Sequence, residues 1–378
     1  MNFYKKIQVL GGSAKYDLCG SYLCTSPPRK RDPLGRWIYP AVLPEGKTIL
    51  LLKILLSNAC ENDCKYCLNR CSRDFHRMGY QPDDLAKLFI NLFSHCKVQG
   101  LFLSSAVCTS VASTMEKMIK TVEILRFKYR FKGYIHLKIL PGAGFDYIKR
   151  AVQLSDRVSV NLEAPSRDRL KSIASDKNLD KDILLPLKWI KVLRSEKTGA
   201  PAGHTTQFVV GASGESDKEI LKTTSMLYSE FDLTRAYFSS FQPVPGTPLE
   251  NHPPTPLLRE HRLYQSDFLL RKYNFKFEEI IFDSSKNLPL SRDPKQIWSL
   301  THPERFPVEV NTATKQQLLR VPGIGPKSAE RIVRMRGRNN FYTLEELRGV
   351  GVVVKWVRPF ILINGKKQSG GFQYRLFP

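Results

Sequence analysis

The chain has 378 residues, 42% of them hydrophobic and 25% charged, and its 59 Lys plus Arg against 35 Asp plus Glu leave a net charge of +24. That length suits one large domain and a small one, the composition is globular and not disordered, and the excess of cations favours a polyanionic partner. The longest apolar run, near Ile49–Leu56, is broken by Lys53, and Met1–Leu10 carries two lysines without a continuous apolar stretch, so the expectation is a cytoplasmic protein with neither membrane span nor signal peptide.

Residues 1–47 show no clear periodicity. They contain the basic run Arg29, Lys30, Arg31 and Arg36 beside Trp37 and Tyr39, with Pro-Pro and Pro-Leu-Gly turns, and read as an irregular N-terminal extension. From Thr48 onward, short β-rich runs alternate with amphipathic stretches. The first strand, Thr48–Ser57, is apolar on both faces, as a buried parallel strand should be. A helix follows at Pro82–Cys96, where Leu85, Leu88, Phe89, Leu92 and Phe93 recur at helical spacing. Further strands read at Leu101–Ser104, Tyr134–Leu140, Arg157–Leu162, Thr205–Val210 and Arg235–Phe241. Helical patterns lie near Ser113–Tyr129, Asp146–Leu154, Asp168–Leu193, Asp217–Glu230 and Pro256–Tyr273. Six strand–helix alternations predict an α/β fold, a parallel sheet closed part-way into a (β/α)6 barrel over residues 48–282.

Residues 283–306 are rich in Pro, Ser and charge and read as a linker. Residues 307–365 are helical in pattern with Gly-containing turns, a small all-α domain, and 366–378 form a tail. From Phe306 to the end there are thirteen Lys or Arg against four Glu, an excess of nine, so positive charge is denser here than elsewhere.

Of eight cysteines, Cys60, Cys64, Cys67 and Cys71 crowd together, and in a cytosolic chain such a group points to metal or catalysis before disulfides. Cys60-x₃-Cys64-x₂-Cys67 directly follows the first strand. Soft, anionic thiolates suit iron–sulfur clusters, and three of them leave one iron of a [4Fe–4S] cluster open to another ligand. A zinc site is the alternative, with Cys71 or His76 as the fourth ligand. Cys19, Cys24, Cys96 and Cys108 read as structural.

This spacing, with Tyr66 just before the third cysteine at the end of the first strand, resembles the radical S-adenosylmethionine (SAM) superfamily. The resemblance implies a [4Fe–4S] cluster on Cys60, Cys64 and Cys67 whose open iron chelates SAM. One-electron reduction, from a donor such as flavodoxin or ferredoxin, then yields a 5′-deoxyadenosyl radical that abstracts hydrogen from a substrate. It also implies SAM contacts at later strand ends. These are Ser104 and Ser105 where the family often has Gly-Gly-Glu, Asn161 and Glu163 after the fourth strand, and Gly211 in the Gly211–Glu215 turn resembling the adenine-contacting strand. Phe241–Pro248 resembles the Pro-Gly-Thr-Pro turn of methylthiotransferases and related members.

Near the C-terminus, Val310–Ala313 opens a short helix through Leu319, and Val321-Pro-Gly-Ile-Gly-Pro-Lys-Ser-Ala329 leads into a helix bearing Arg331, Arg334, Arg336 and Arg338. This resembles a helix-hairpin-helix motif. Unpaired N–H groups and the helix dipole there make an anion site, glycines permit close approach, and Lys327 adds charge. The DNA-binding residues expected are Gly323, Ile324, Gly325 and Lys327, gripping the backbone with little sequence preference. A degraded second copy reads at Glu346–Val352.

Both modules together resemble a radical SAM group described as DNA modification or repair proteins, often linked to a uracil-DNA-glycosylase-like protein; Ala14–Asp17 and Phe306–Asn311 share in the likeness. The expected function is a radical SAM enzyme of DNA modification or repair. A tRNA-modifying radical SAM enzyme and a non-enzymatic iron–sulfur DNA-binding protein are the other readings.

Overall fold

The structure, a computed structural model, describes residues 3–14, 38–42 and 48–368. They fall in a first unit, Met1–His261, and a second, Arg262–Pro378. The first unit opens with α1 (Phe3–Ser13) and β1 (Ile38–Val42). There follow β2 (Thr48–Leu55), α2 (Pro82–Ser94), β3 (Gly100–Ser104), α3 (Val111–Glu123), β4 (Tyr134–Lys138), α4 (Phe145–Leu154) and β5 (Arg157–Ser159). Then come α5 (Arg167–Ile173), α6 (Leu185–Ser195), β6 (His204–Val210), α7 (Asp217–Phe231), β7 (Arg235–Ser240) and α8 (Leu257–Lys272), inside which the division into units falls.

Seven strands form one sheet in the order β1-β2-β3-β4-β5-β6-β7. β2 to β7 are parallel neighbours in sequence order, and β1 pairs antiparallel with β2 at the edge. This is the expected α/β half-barrel, open between its edge strands. All five residues of β3 are buried, the consequence of helices covering one face while the other lines the interior. Register pairs Leu55 with Ser104, Lys138 with Ser159 and Val210 with Ser240, so the carboxyl ends of the strands share one rim. Side-chain caps set the starts of α3 and α7: Ser110 accepts from Ser113 N–H, and Ser216 with Glu219 forms a capping box. Each such cap contributes about 1 kcal/mol.

Three expectations change in this unit. Residues 1–47 are not wholly irregular, since they hold α1 and β1; Pro40, which lacks a donor, is tolerated in β1 because that strand is an edge. Phe93 is 41% exposed, although its ring meets Phe131 edge-on at 5.0 Å. The single helix read at Asp168–Leu193 is three pieces: α5, a π-helical turn Leu179–Leu184 capped by Asn178, and α6 with Pro186 in its first turn. Cys19, Cys24, Lys15–Asp17, the basic run Arg29–Arg36 with Trp37, and most of the tail lie outside the described residues.

The second unit continues with α9 (Pro294–Thr301), β8 (Val308–Glu309), α10 (Lys315–Arg320), α11 (Pro326–Arg336), α12 (Leu344–Gly349), α13 (Val354–Val357), β9 (Ile361–Ile363) and β10 (Lys366–Lys367). Its core gathers Val310, Leu318, Val321, Ile324, Ile332, Leu347 and Val357, all at most 1% exposed. A short sheet, β10-β9-β8, accompanies the helices of the hairpin module. Where the sequence reads as a linker the structure holds α9, whose Trp298 is 2% exposed and meets Phe275 edge-on at 5.4 Å. Arg320 lies 3.7 Å over the Phe275 ring and pairs with Glu279 at 2.8 Å.

Candidate active site and hairpin groove

The loop that follows β2 is tied down along its length. Glu61 N–H donates to Val107 O and Lys65 N–H to Ile173 O, each at 2.8 Å, and Cys71 N–H to Asn62 O at 3.0 Å. Arg70 and Ser72 both donate to Asp63, at 2.6 and 2.8 Å, and these contacts hold the Asp63 carboxyl well below the usual carboxylate range. The Arg77 guanidinium donates to the carbonyls of Arg70, Cys71 and Arg73 within 3.0 Å. Arg73 reaches Pro245 O at 2.9 Å and so fastens the Pro-Gly-Thr-Pro turn to this loop.

Cys60, Cys64, Cys67 and Tyr66 line one cavity at the strand-end rim; Cys71 is exposed and, like Cys96 and Cys108, is not among its lining residues. Burial pushes the Cys64 thiol up, and burial together with Cys64 pushes Cys67 up to about 12, although Asn69 N–H donates to the Cys67 sulfur at 3.4 Å. Cys64 and Cys67 therefore resist ionisation by themselves, and a bound metal group, whose positive charge reverses that preference, is what they suit. Among the described residues no three His, Cys, Asp or Glu side chains close on a single point.

The strands and the turns after them supply more of the cavity wall: Ser104 at the end of β3 and Ser105 after it, Lys138 at the end of β4, Asn161 and Glu163 after β5, Gln207 within β6 and Ser240 at the end of β7. Ser104 Oγ and Asn69 Oδ1 are buried in that wall with no hydrogen-bond partner among the described residues. Orphaned polar atoms of this kind suit a polar cofactor. Ser105 is differently placed, because its hydroxyl already donates to Ala106 O at 2.7 Å. Glu163 holds an unusual backbone, φ +66, between Gln207 O and Val209 N–H at 2.9 and 2.8 Å. Its carboxylate stands 3.7 Å from Lys177 Nζ, with both side chains under 10% exposed. Burial works against the Lys177 charge, but Cys64 and Glu163 more than offset it and the ammonium is held protonated.

Gly211 is not brought to this cavity. Its φ is +90 and a Cβ there would overlap the Thr255 hydroxyl, so a neighbouring side chain requires glycine at this position. Its N–H donates to Glu215 and its carbonyl accepts from His252 at 3.0 Å. Sequence reading missed Lys138, Lys177, Asn69 and Gln207. Lys138 was within reach of the rule applied to Ser104 and Asn161, since it too ends a strand. Lys177 sits in an aperiodic turn with no signal of its own.

In the second unit, α10 starts at a Thr314–Gln317 capping box, and residues 321–325 turn the chain into α11 with Gly325 as N-cap. Gly323 has φ +85, and a Cβ there would lie 2.7 Å from Val353 O. Val353 N–H donates to Gly323 O at 2.9 Å, and Ser328 Oγ to Gly351 O at 2.8 Å, so the two hairpins pack on one another reciprocally. The Ile324 side chain is core, 1% exposed, and offers only its backbone to a ligand. Lys327, Arg331, Arg334 and Arg338 are exposed.

Residues 54–227 match the radical SAM superfamily, and residues 305–353 match a helix-hairpin-helix motif. The chain thus carries a radical SAM domain and a helix-hairpin-helix motif, and its cofactors are a [4Fe–4S] cluster and SAM. Among solved structures it is similar to HydG, a maturase of the [FeFe]-hydrogenase, with 12% identity over 57% of this chain and 48% of that one, and a TM-score of 0.45. Methylornithine synthase (PylB) gives 14%, 57% and 60%, with a TM-score of 0.47. The radical SAM methyltransferase TsrM from Kitasatospora setae gives 14%, 61% and 42%, with a TM-score of 0.41. The chain spans about half the length of the solved structures it matches. No curated protein matches it. No described helix is long and apolar enough to cross a membrane.

Proposed function

We propose that this chain is a radical SAM enzyme of DNA modification or repair, in which Cys60, Cys64 and Cys67 hold the cluster and the second unit holds DNA. The observation that carries the reading is the meeting of three cysteines and two unpartnered polar atoms in one strand-end cavity, in a chain that also bears a helix-hairpin-helix motif. When bound and reduced, the cluster and SAM supply a carbon radical able to abstract hydrogen. The protein's own part is to bind and to exclude water. Ser104 and Asn161 meet the polar groups of SAM. Glu163 fixes Lys177 beside the thiols, where the ammonium offsets their negative charge. Ser105 contributes position more than hydrogen bonding, and Gly211 shapes the turn behind the wall.

A radical needs a dry pocket, so a DNA target would enter this cavity extruded from the stack. The hairpin backbone at Gly323–Gly325, with Lys327, would grip phosphates without reading sequence, and affinity would fall steeply with salt as counterions are released. An electron donor such as flavodoxin or ferredoxin would reduce the cluster, and the family resemblance adds a uracil-DNA-glycosylase-like protein as a partner to test.

The experiment is anaerobic reconstitution, reductant and SAM, then mass analysis of nucleosides from duplex DNA and from tRNA offered together at matched salt. A changed deoxynucleoside with 5′-deoxyadenosine released supports the reading. A changed tRNA nucleoside replaces it with the RNA-modifying alternative, and zinc-loaded protein without SAM cleavage ends the enzyme reading.

A further inference from the structure

The second residue of α9, Lys295, is 6% exposed. Its ammonium donates to Ile324 O, in the middle of the first hairpin, at 2.7 Å and stands 4.5 Å from the centre of the Tyr273 ring. One of three ammonium protons is spent on that carbonyl. The same side chain lines a groove whose wall also includes Arg262, Arg292, Gly323, Gly325 and Trp356. Asp293 is the sole acid among its lining residues. Hairpin backbone, the start of an eleven-residue helix and three cationic side chains thus share one space. A phosphodiester matches this set, because its anionic oxygens accept from backbone N–H and from ammonium alike.

We infer that Lys295, which lies outside the hairpin motif, is a phosphate-contacting residue of this groove and makes the grip on DNA depend on pH. The inference rests on the DNA reading above. The charged and titratable groups facing Lys295 are Asp293 from the turn before α9, Tyr273 just after α8 and Arg320 from α10, with Arg262 and Arg292 in the same wall; Arg320 is itself paired with Glu279. Burial pushes the ammonium down to about 7; Asp293 pulls it back up and Arg320 opposes that. An arriving phosphate favours the charged form and raises the value. Between the free and bound values, binding takes up a proton. Affinity is therefore greatest below about pH 7 and falls as pH rises above it, by about tenfold for each unit by which the phosphate raises the pKa.

The test is anisotropy of labelled duplex DNA with the full chain at fixed ionic strength, from pH 6 to pH 8.5. The variants are Lys295→Arg, Lys295→Met and Lys327→Ala, each checked for folding by its melting profile. Wild type should lose about tenfold in affinity across the range. Lys295→Arg, charged throughout, should bind tightly with a flat profile. Lys295→Met should bind several-fold more weakly at pH 6 and also be flat, while Lys327→Ala should weaken binding at every pH and keep the slope. A flat wild type, or a slope surviving in either Lys295 variant, overturns the inference; if Lys327→Ala still weakens binding, the DNA reading stands without it. Absence of DNA binding by wild type at any pH overturns both. Should the methionine variant fail to fold, the arginine variant decides alone.

Discussion

Gly323 and Gly325 look equivalent in the hairpin, yet alanine should affect them differently. At Gly323 the backbone has φ +85, which costs an L-residue about 1–2 kcal/mol. The added Cβ would also stand 2.7 Å from Val353 O, 3.1 Å from Trp356 Cβ and 3.2 Å from Val357 N, so backbone of the second hairpin has to retreat. The retreat strains the Val353 N–H to Gly323 O hydrogen bond of 2.9 Å, worth about another 1 kcal/mol. Gly323→Ala should therefore destabilise the second unit by about 2–4 kcal/mol and lower its melting temperature by about 10 °C or more. Gly325 has φ −93, and the nearest atom to its Cβ is the Tyr273 hydroxyl at 3.5 Å, an ordinary contact. Gly325→Ala should cost no more than about 1 kcal/mol, the difference between glycine and alanine as N-cap. Calorimetry of the full chain separates the two, and DNA affinity of the folded Gly325→Ala protein then reports phosphate approach by itself. Melting of Gly323→Ala within 1–2 °C of wild type, or of Gly325→Ala as low as Gly323→Ala, would refute the argument.

Cys60→Ala, Cys64→Ala and Cys67→Ala should each abolish release of 5′-deoxyadenosine from SAM, and Cys71→Ala, whose side chain is exposed and not part of the cavity wall, should leave it intact; product chromatography on reconstituted protein reads both. Glu163→Gln leaves the Lys177 ammonium buried without its carboxylate and should destabilise the first unit by about 3 kcal/mol, whereas Glu163→Gln with Lys177→Met should recover part of the loss. A double-mutant cycle in denaturant measures that coupling, and a value near zero would show that the pair does not act as one.

Most of the half-barrel was legible because its signals are strong and local. β2 and β3 are nearly continuous apolar runs, the other four parallel strands mix β-branched or aromatic residues with polar ones, and each falls within a few residues of its predicted place. The family resemblance, applied to the ends of those strands, pointed to Ser104, Asn161 and Glu163, and all three line one space. What failed was whatever depended on partners distant in sequence. β1 is recognisable only once β2 is there to pair with it, and Pro40 disguises it further. Pro186 and the polar run Ser175–Asn178 were visible marks against one long helix at Asp168–Leu193, and the apolar periodicity outweighed them wrongly. α9 hid in linker-like composition because its worth lies in Trp298 and Lys295, two side chains whose burial needs Phe275, Tyr273 and the hairpin to be in place.

The two buried lysines show why residue type and burial do not by themselves decide charge. Lys177 and Lys295 are both withdrawn from water, at 9% and 6% exposed, and desolvation penalises both ammonium groups. Lys177 faces a carboxylate at 3.7 Å and the Cys64 thiol, and attraction to them wins. Lys295 faces a carbonyl, an aromatic ring and the opposing charge of Arg320, with Asp293 its one acidic neighbour, and desolvation wins. The first arrangement gives a fixed counter-ion, suited to a wall that must balance thiolates. The second gives a group whose charge is completed by what binds, which is a property useful at a groove for an anion and costly anywhere else.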